Sequence, residues 1–137
     1  MAVAIHDGTS LSQLLTVNAD GSINVDDISA ALDAAIISAS GALTLIKGSA
    51  GNLWGMFFQN NTAGIAWIQF FDAATTGAVT LGVTVPVWAA PIPASGILTI
   101  PPGARALLAF VNGIVYAATS ALGGATPESQ SGTVEFL

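Results

Sequence analysis

The stretch Leu53-Trp-Gly-Met-Phe-Phe-Gln-Asn60-Asn-Thr-Ala-Gly-Ile65-Ala-Trp-Ile-Gln-Phe-Phe71 holds two apolar runs on either side of a polar loop. In the first run Trp54, Met56 and Phe58 alternate with Leu53, Gly55, Phe57 and Gln59. In the second, Ile65, Trp67, Gln69 and Phe71 alternate with Ala66, Ile68 and Phe70. Short runs rich in aromatic and β-branched residues, bounded by Asn and Gly, read as strands. The loop Asn60–Gly64 has hairpin length, so the two strands are expected to be joined as a hairpin. An antiparallel strand with one wet face should alternate between apolar and polar residues. Both faces are apolar here. Either loops or arms cover the outer face, or that face meets another subunit. One buried Trp or Phe contributes about 2–3 kcal/mol, and several left exposed together make an association patch.

Outward from this pair the β pattern continues. Ala42–Lys47 reads as a short strand ended by Gly48. Val79–Val85 alternates cleanly, with Val79, Leu81, Val83 and Val85 against Thr80, Gly82 and Thr84, which predicts a half-buried strand. Val87–Ala90 lies between prolines and is expected at an edge or as an irregular extended segment. Ile97–Ile100, Leu107–Val111, Ile114–Thr119 and Val134–Leu137 complete the set, and Gly123-Gly-Ala-Thr-Pro127 breaks the chain before the last. Many short strands with regular turns predict an all-β, antiparallel sandwich or barrel.

Residues 1–40 differ from the rest and are expected to form an arm with a hairpin, ahead of a β-domain over 41–137. Leu14-Leu-Thr-Val-Asn18-Ala-Asp20-Gly-Ser-Ile-Asn-Val25 reads as two β runs around an Asp-Gly turn. Asp26–Ile37 is the one stretch with helical spacing, through Ile28, Ala31, Leu32, Ala35 and Ile36, with Asp26 or Asp27 as its cap. A strand over Ala35–Ser38 is the competing reading.

Composition narrows the functional classes. Lys47 and Arg105 are the only basic residues in 137, charged residues make up 7%, and the net charge is −6. A soluble domain normally carries about 25% charged residues. This one is dressed in Ala, Gly, Ser, Thr and Asn, a surface suited to packing against neighbours. With a pI near 4.1 it lacks the cationic footprint of a nucleic-acid binder or of a protein docking on anionic lipid. The mean hydropathy of +0.73 does not predict a membrane span. The longest uncharged stretches are cut by Gln59-Asn-Asn-Thr62 and by Pro86, Pro91, Pro93, Pro101 and Pro102, whereas a spanning helix needs about 20 mainly apolar residues. Nor does the segment Met1–Asp7 read as a signal peptide, having no basic start and no long apolar run.

Catalytic chemistry finds few residues to work with. There is no cysteine and one histidine, His6, so thiolate sites are excluded and a triad or His-based metal centre is short of ligands. His6-Asp7 reads as a surface turn rather than a base and its orienter. Asn18-Ala-Asp20-Gly-Ser22-Ile-Asn24 faintly resembles a calcium loop, but its Gly comes too early and no distal Glu follows. No Lys follows Gly77, Gly82, Gly123 or Gly124 in a phosphate-binding pattern. No catalytic residue, cofactor or metal is expected. Trp54 and Trp67 are read as core, and Trp88, between Pro86 and Pro91, as the tryptophan most exposed. Lys47 and Arg105 are expected to pair with carboxylates or to contact a partner, and Asp72 to sit in a turn at a strand end.

Several pieces, taken in order, carry a resemblance: Leu53-Trp-Gly-Met-Phe-Phe-Gln-Asn60, Ala66-Trp-Ile-Gln-Phe-Phe-Asp72-Ala-Ala74, Leu81-Gly-Val-Thr-Val-Pro86, Ile92-Pro-Ala-Ser-Gly96, Phe110-Val-Asn-Gly-Ile-Val-Tyr-Ala-Ala118-Thr and Gly123-Gly-Ala-Thr-Pro127. Together they resemble tailed-phage virion proteins with a "QLFDA"-like strand, an "LGTTxP" segment, a "PxPAGG" turn, an "NGI" strand and a "TGxTAP" turn. The resemblance covers roughly residues 42–127, and Gly123-Gly departs from the last pattern. It implies a compact jelly-roll-like sandwich that decorates or cements the outer capsid surface, on the major capsid protein, and the apolar runs add the expectation of a closed homo-oligomer, dimer or trimer. The alternative is a receptor- or glycan-binding domain of a tail or head fibre, with Trp88 at its site. Candidate partner contacts are Leu14, Val17, Ile23 and Val25 in the arm, and Trp54, Trp67, Phe71 and Trp88 in the β-domain.

Overall fold

The computed structural model describes residues 32–137 in full and, before them, the backbone of three strands: β1 (Ala2–Ile5), β2 (Gln13–Val17) and β3 (Ile23–Val25). The chain divides into two units, Met1–Ala31 and Leu32–Leu137. In the first, β1, β2 and β3 form an antiparallel sheet in that order, with Ala4 opposite Leu14, Leu15 opposite Val25 and Val17 opposite Ile23. The hairpin expected between Leu14 and Val25 is therefore present as β2 and β3. His6-Asp7, the loop 18–22 and residues 26–31 lie outside the described residues.

The second unit is a β-sandwich of two antiparallel sheets. The strands in chain order are β4 (Asp33–Ile37), β5 (Thr44–Lys47), β6 (Gly51–Asn60), β7 (Ala66–Asp72), β8 (Trp88–Ile92), β9 (Ile97–Ile100), β10 (Leu108–Phe110), β11 (Ile114–Thr119) and β12 (Gln130–Phe136). The five-stranded sheet runs β10-β6-β12-β4, and β9 pairs with the same edge of β6, beyond β10. The four-stranded sheet runs β5-β11-β7-β8. These orders establish the sandwich; they do not by themselves make it a jelly roll.

The core lies between the sheets. Met56, Phe58 and Val134 from one sheet meet Ile68, Phe70, Ile92, Ile114 and Tyr116 from the other. Phe58 stacks on Tyr116 with ring centroids 5.1 Å apart, and Phe70 sits 5.9 Å from Tyr116 and 6.0 Å from Trp88. A bulge interrupts the alternation in β6. Gly55 faces Glu135 while Leu53 faces Phe136, so Trp54 is the extra residue. The bulge buries Leu53 but leaves Phe57, of the same parity, 42% exposed. Gly132 lets β12 lie close to β6, because a Cβ there would fall 2.1 Å from the Phe57 carbonyl oxygen.

Three sequence expectations are corrected. The loop 60–64 is not a hairpin turn: β6 and β7 belong to different sheets, and the loop crosses between them. The cause is Asn60, whose side chain is 1% exposed. Its Nδ2 donates to the carbonyls of Gly64 (2.8 Å), Ile92 (3.1 Å) and Pro93 (3.0 Å). Its Oδ1 accepts from the Thr62 amide (2.9 Å), the Thr62 hydroxyl (2.8 Å) and Gln130 Nε2 (3.0 Å). One side chain thus ties the loop to β8 and β12, in opposite sheets.

The second correction concerns Val79–Val85, which is not a strand. A 3₁₀ turn over Thr76–Ala78 leads into a tight turn in which Val83 N (3.1 Å) and Thr84 N (2.8 Å) both donate to the Thr80 carbonyl. Thr80 N donates to the Thr84 hydroxyl (2.9 Å), and Gly82 supplies a φ of 82°. Local hydrogen bonding by Thr and the freedom of Gly override the alternation. Val79 and Leu81 instead cover Phe71, Ala73, Val115 and Ala117 on the outer face of the four-stranded sheet. A covering loop therefore explains why β7 is apolar on both faces.

Third, residues 33–37 are not the end of a helix but form β4, in line with the competing strand reading at Ala35–Ser38; β4 pairs with β12 (Ala35 opposite Val134) and buries Ile37 in the core. Burial of Ile37 outweighs the helical spacing of the apolar residues. The expected edge at Val87–Ala90 is borne out: β8 is the outer strand of its sheet and carries Pro91.

Two outcomes are expected. Asn60→Ala removes the buried bonds to the Ile92 carbonyl and from Gln130 Nε2, together with those that tie down Thr62, Gly64 and Pro93. It should cost about 3 kcal/mol in chemical denaturation, against under about 1 kcal/mol for exposed Asn61→Ala. Tyr116, the only tyrosine, donates to the Ser40 carbonyl (3.3 Å), and burial pushes its phenol far above the ordinary 10.0. Its contribution to stability is complete below that ordinary value and is lost as pH rises above it, since the unfolded phenol ionises first. Denaturation midpoints should fall above about pH 10 in the native chain and fall less in Tyr116→Phe.

Candidate functional site

The outer face of the five-stranded sheet is built by register. Thr133 lies opposite both Ile36 and Phe57, and Phe57 lies opposite Thr99, giving the row Ile36–Thr133–Phe57–Thr99. The next row is Ser131–Gln59–Ile97. Ile36 is 79% exposed and Ile97 61%. A shallow groove of about 410 Å³ runs over Ile36, Phe57, Gln59, Ser131 and Thr133. A smaller one of about 120 Å³ lies on the other side of Phe57, against Thr99, Pro101, Pro102 and Glu135. The face is thus three large apolar side chains set among hydroxyls, an amide and the Glu135 carboxylate, with no basic residue in either groove. Such a surface offers contact area and hydrogen bonds, and little electrostatic steering.

A second apolar region lies at β8. Val83, Val85, Val87, Trp88 and Leu122 line a groove of about 500 Å³. The Trp88 ring packs against Phe70 and the core, so the groove meets only part of it. Thr84 is the only polar side chain lining this groove, whereas a sugar site needs several polar groups to orient its hydroxyls.

The expected contact residues scatter. Leu14 and Val17 lie in β2, and Ile23 and Val25 in β3. Phe71 is 1% exposed beneath the 73–87 segment and presents no surface. Trp54, Trp67 and Trp88 are all half-buried. Neither Trp54 nor Trp67 belongs to the buried core expected of them, and Trp88 is not set apart by exposure. Phe57, Ile36 and Ile97 were not singled out by the sequence. Gln59 held the signal: a polar residue on the same alternate face as Phe57 marks that face as outward.

Asp72 is the turn residue expected of it. Its Oδ1 accepts from the amides of Asn112 (2.7 Å) and Gly113 (3.3 Å), and its Oδ2 from Asn112 Nδ2 (3.3 Å). The Asn112 backbone N–H foremost holds this carboxyl below its ordinary 3.8. Buried Gln69 donates to the Thr119 hydroxyl, which in turn donates to the Ala121 carbonyl (2.7 Å), a purely internal chain. Among the described residues, no three His, Cys, Asp or Glu side chains are grouped to hold a metal ion, and no helix is long and apolar enough to cross a membrane.

Comparison with known proteins finds no matching family model, no matching curated protein and no matching solved structure.

One residue among the expected contacts yields a stability test. The indole N–H of Trp54 is buried and has no hydrogen-bond partner among the described residues. Trp54→Phe keeps a ring while removing an unpaired donor. Its unfolding free energy should match the native chain or exceed it by up to about 1 kcal/mol, where removal of a paired donor would lower it.

Proposed function

We propose that this chain is a non-enzymatic structural protein of a phage virion, decorating and stabilising the outer capsid surface as a cement protein. Its partners are the major capsid protein and further copies of itself. The observation that carries this reading is the outer face of the five-stranded sheet, where Ile36, Phe57 and Ile97 stand exposed among Ser, Thr and Gln. A face of that kind is stabilised by covering it. The low overall charge is consistent with a molecule whose surface is largely in contact. The virion setting comes from the sequence resemblance.

The first unit supports the same reading. Its sheet consists of three strands of three to five residues, and strands that short bury little apolar surface by themselves. Such a sheet gains stability by resting on a larger surface, and a capsid lattice supplies one. Strand addition to a neighbouring sheet is an established mode of such contact.

The test is co-sedimentation of the purified chain with expanded, undecorated capsids of a tailed phage, imaged by cryo-electron microscopy. Regular density at capsomer centres or symmetry axes is expected. Phe57→Asp should reduce occupancy at least about tenfold, because a charge there is desolvated on contact, and deletion of residues 1–25 should reduce it as well. Absence of the chain from heads, with density on the tail instead, would overturn the cement reading. Trp88→Ala on a glycan array then becomes the next experiment.

A further inference from the structure

The free edges of the sandwich are not alike. β8 carries Pro91, which has no N–H to offer, and lies between Pro86 and Pro93. β5 ends on Lys47, and its pairing with β11 shifts register at Ile114/Val115. β9 runs directly into Pro101-Pro102, and β10 is only 3 residues long. Proline, lysine, irregular register and shortness are the devices by which sheets block unwanted strand addition. β4 has none of them. Asp33-Ala-Ala-Ile-Ile37 is a regular five-residue strand without Pro, Gly or a basic residue. Its outer side has no strand partner among the described residues.

We infer that β4 is a self-pairing edge, joining two copies of this chain through antiparallel β4–β4 hydrogen bonds about a two-fold axis. The register centred on Ala35 pairs all five residues. Ala35 then meets its copy, Ala34 meets Ile36, and Asp33 meets Ile37. The one charged residue of the strand therefore faces an isoleucine and is kept away from the partner's Asp33, so like charges are not opposed. The small pair Ala34 and Ala35 lets the backbones approach, and Ile36 packs across the join on the partner's Ala34. The rows that contain Ile36 and Phe57 in each copy become one band across a continuous sheet. An isologous contact of this kind closes after two copies and does not propagate. The inference sharpens the self-association part of the function proposed above and does not depend on its capsid part.

The experiment is sedimentation velocity on the full-length chain over a wide concentration range. A dimer is expected. Ile36 is exposed, so Ile36→Lys should leave the β circular-dichroism spectrum unchanged while weakening self-association at least about tenfold. Ile97→Lys, on the same face but at the opposite edge, should leave the dimer intact. Ala35→Cys supplies an independent reading in a chain that has no cysteine of its own. Facing residues of an antiparallel pair lie about 4.5–5.5 Å apart at Cα, within disulfide range, so mild oxidation should link two copies covalently. A native chain that stays monomeric would overturn the inference, as would a dimer indifferent to Ile36→Lys or an Ala35→Cys variant that fails to cross-link. Capsid binding by a monomer removes this inference and leaves the proposed function standing. A β4 dimer that ignores capsids does the reverse.

Discussion

The side chain of Asn60 holds the two sheets in their relation to each other. Two amide protons are shared among the carbonyls of Gly64, Ile92 and Pro93, while the oxygen takes three donors from Thr62 and Gln130. The group sits where water is excluded, so each bond is strong and each omission is costly. Pro93 follows β8 of the four-stranded sheet, and Gln130 opens β12 of the five-stranded sheet. Without Asn60 the crossing loop would lose its ties to Ile92 at the end of β8 and to Gln130 at the start of β12. With it, the crossing loop is as well satisfied as a strand, and the strongly apolar β6 and β7 face one another across the core instead of lying side by side.

From that crossing follows the different fate of the two sheets' outer surfaces. The four-stranded sheet is closed over by its own chain, because the segment after β7 folds back and lays Val79 and Leu81 on Phe71 and Val115. The five-stranded sheet has no such cover among the described residues, and Phe57, Ile36 and Ile97 stay in the open. One sandwich thus carries a sealed face and an open one. Its long apolar loop serves the sandwich's own core, whereas no described segment does the same for the five-stranded sheet.

Much of this was legible in the sequence. Ile97–Ile100 and Ile114–Thr119 have the expected bounds, and the two aromatic-rich runs are strands, because period-two alternation and flanking turn residues act locally. What failed depended on contacts far along the chain. Val79–Val85 has the pattern of a strand, but Thr80, Gly82 and Thr84 satisfy one another's backbone within a single turn, and no neighbouring strand competes. Residues 33–37 have helical spacing, yet pairing with β12, almost a hundred residues away in sequence, decides their form. The hairpin expected at 60–64 failed on loop length alone, which does not reveal whether a loop turns within a sheet or crosses between two. For the candidate surface, hydrophobicity drew attention to Trp54, Trp67 and Phe71, while the outward parity of Phe57 was marked only by Gln59, and the bulge at Trp54, which alternation alone does not disclose, buries Leu53 of that same parity.

The place of β12 has a further consequence, for how the molecule is made. It lies in the middle of the five-stranded sheet, between β6 and β4, although it follows every other described strand in chain order. During synthesis β6 and β4 emerge early and wait for the strand that joins them, while the four-stranded sheet already has all its members. The five-stranded sheet therefore closes last, in a step of long-range pairing that is inherently slow. Until then β6 presents Phe57 and Phe58 on an unpaired edge. The interval before β12 arrives is the one in which a nascent chain is most exposed to aggregation.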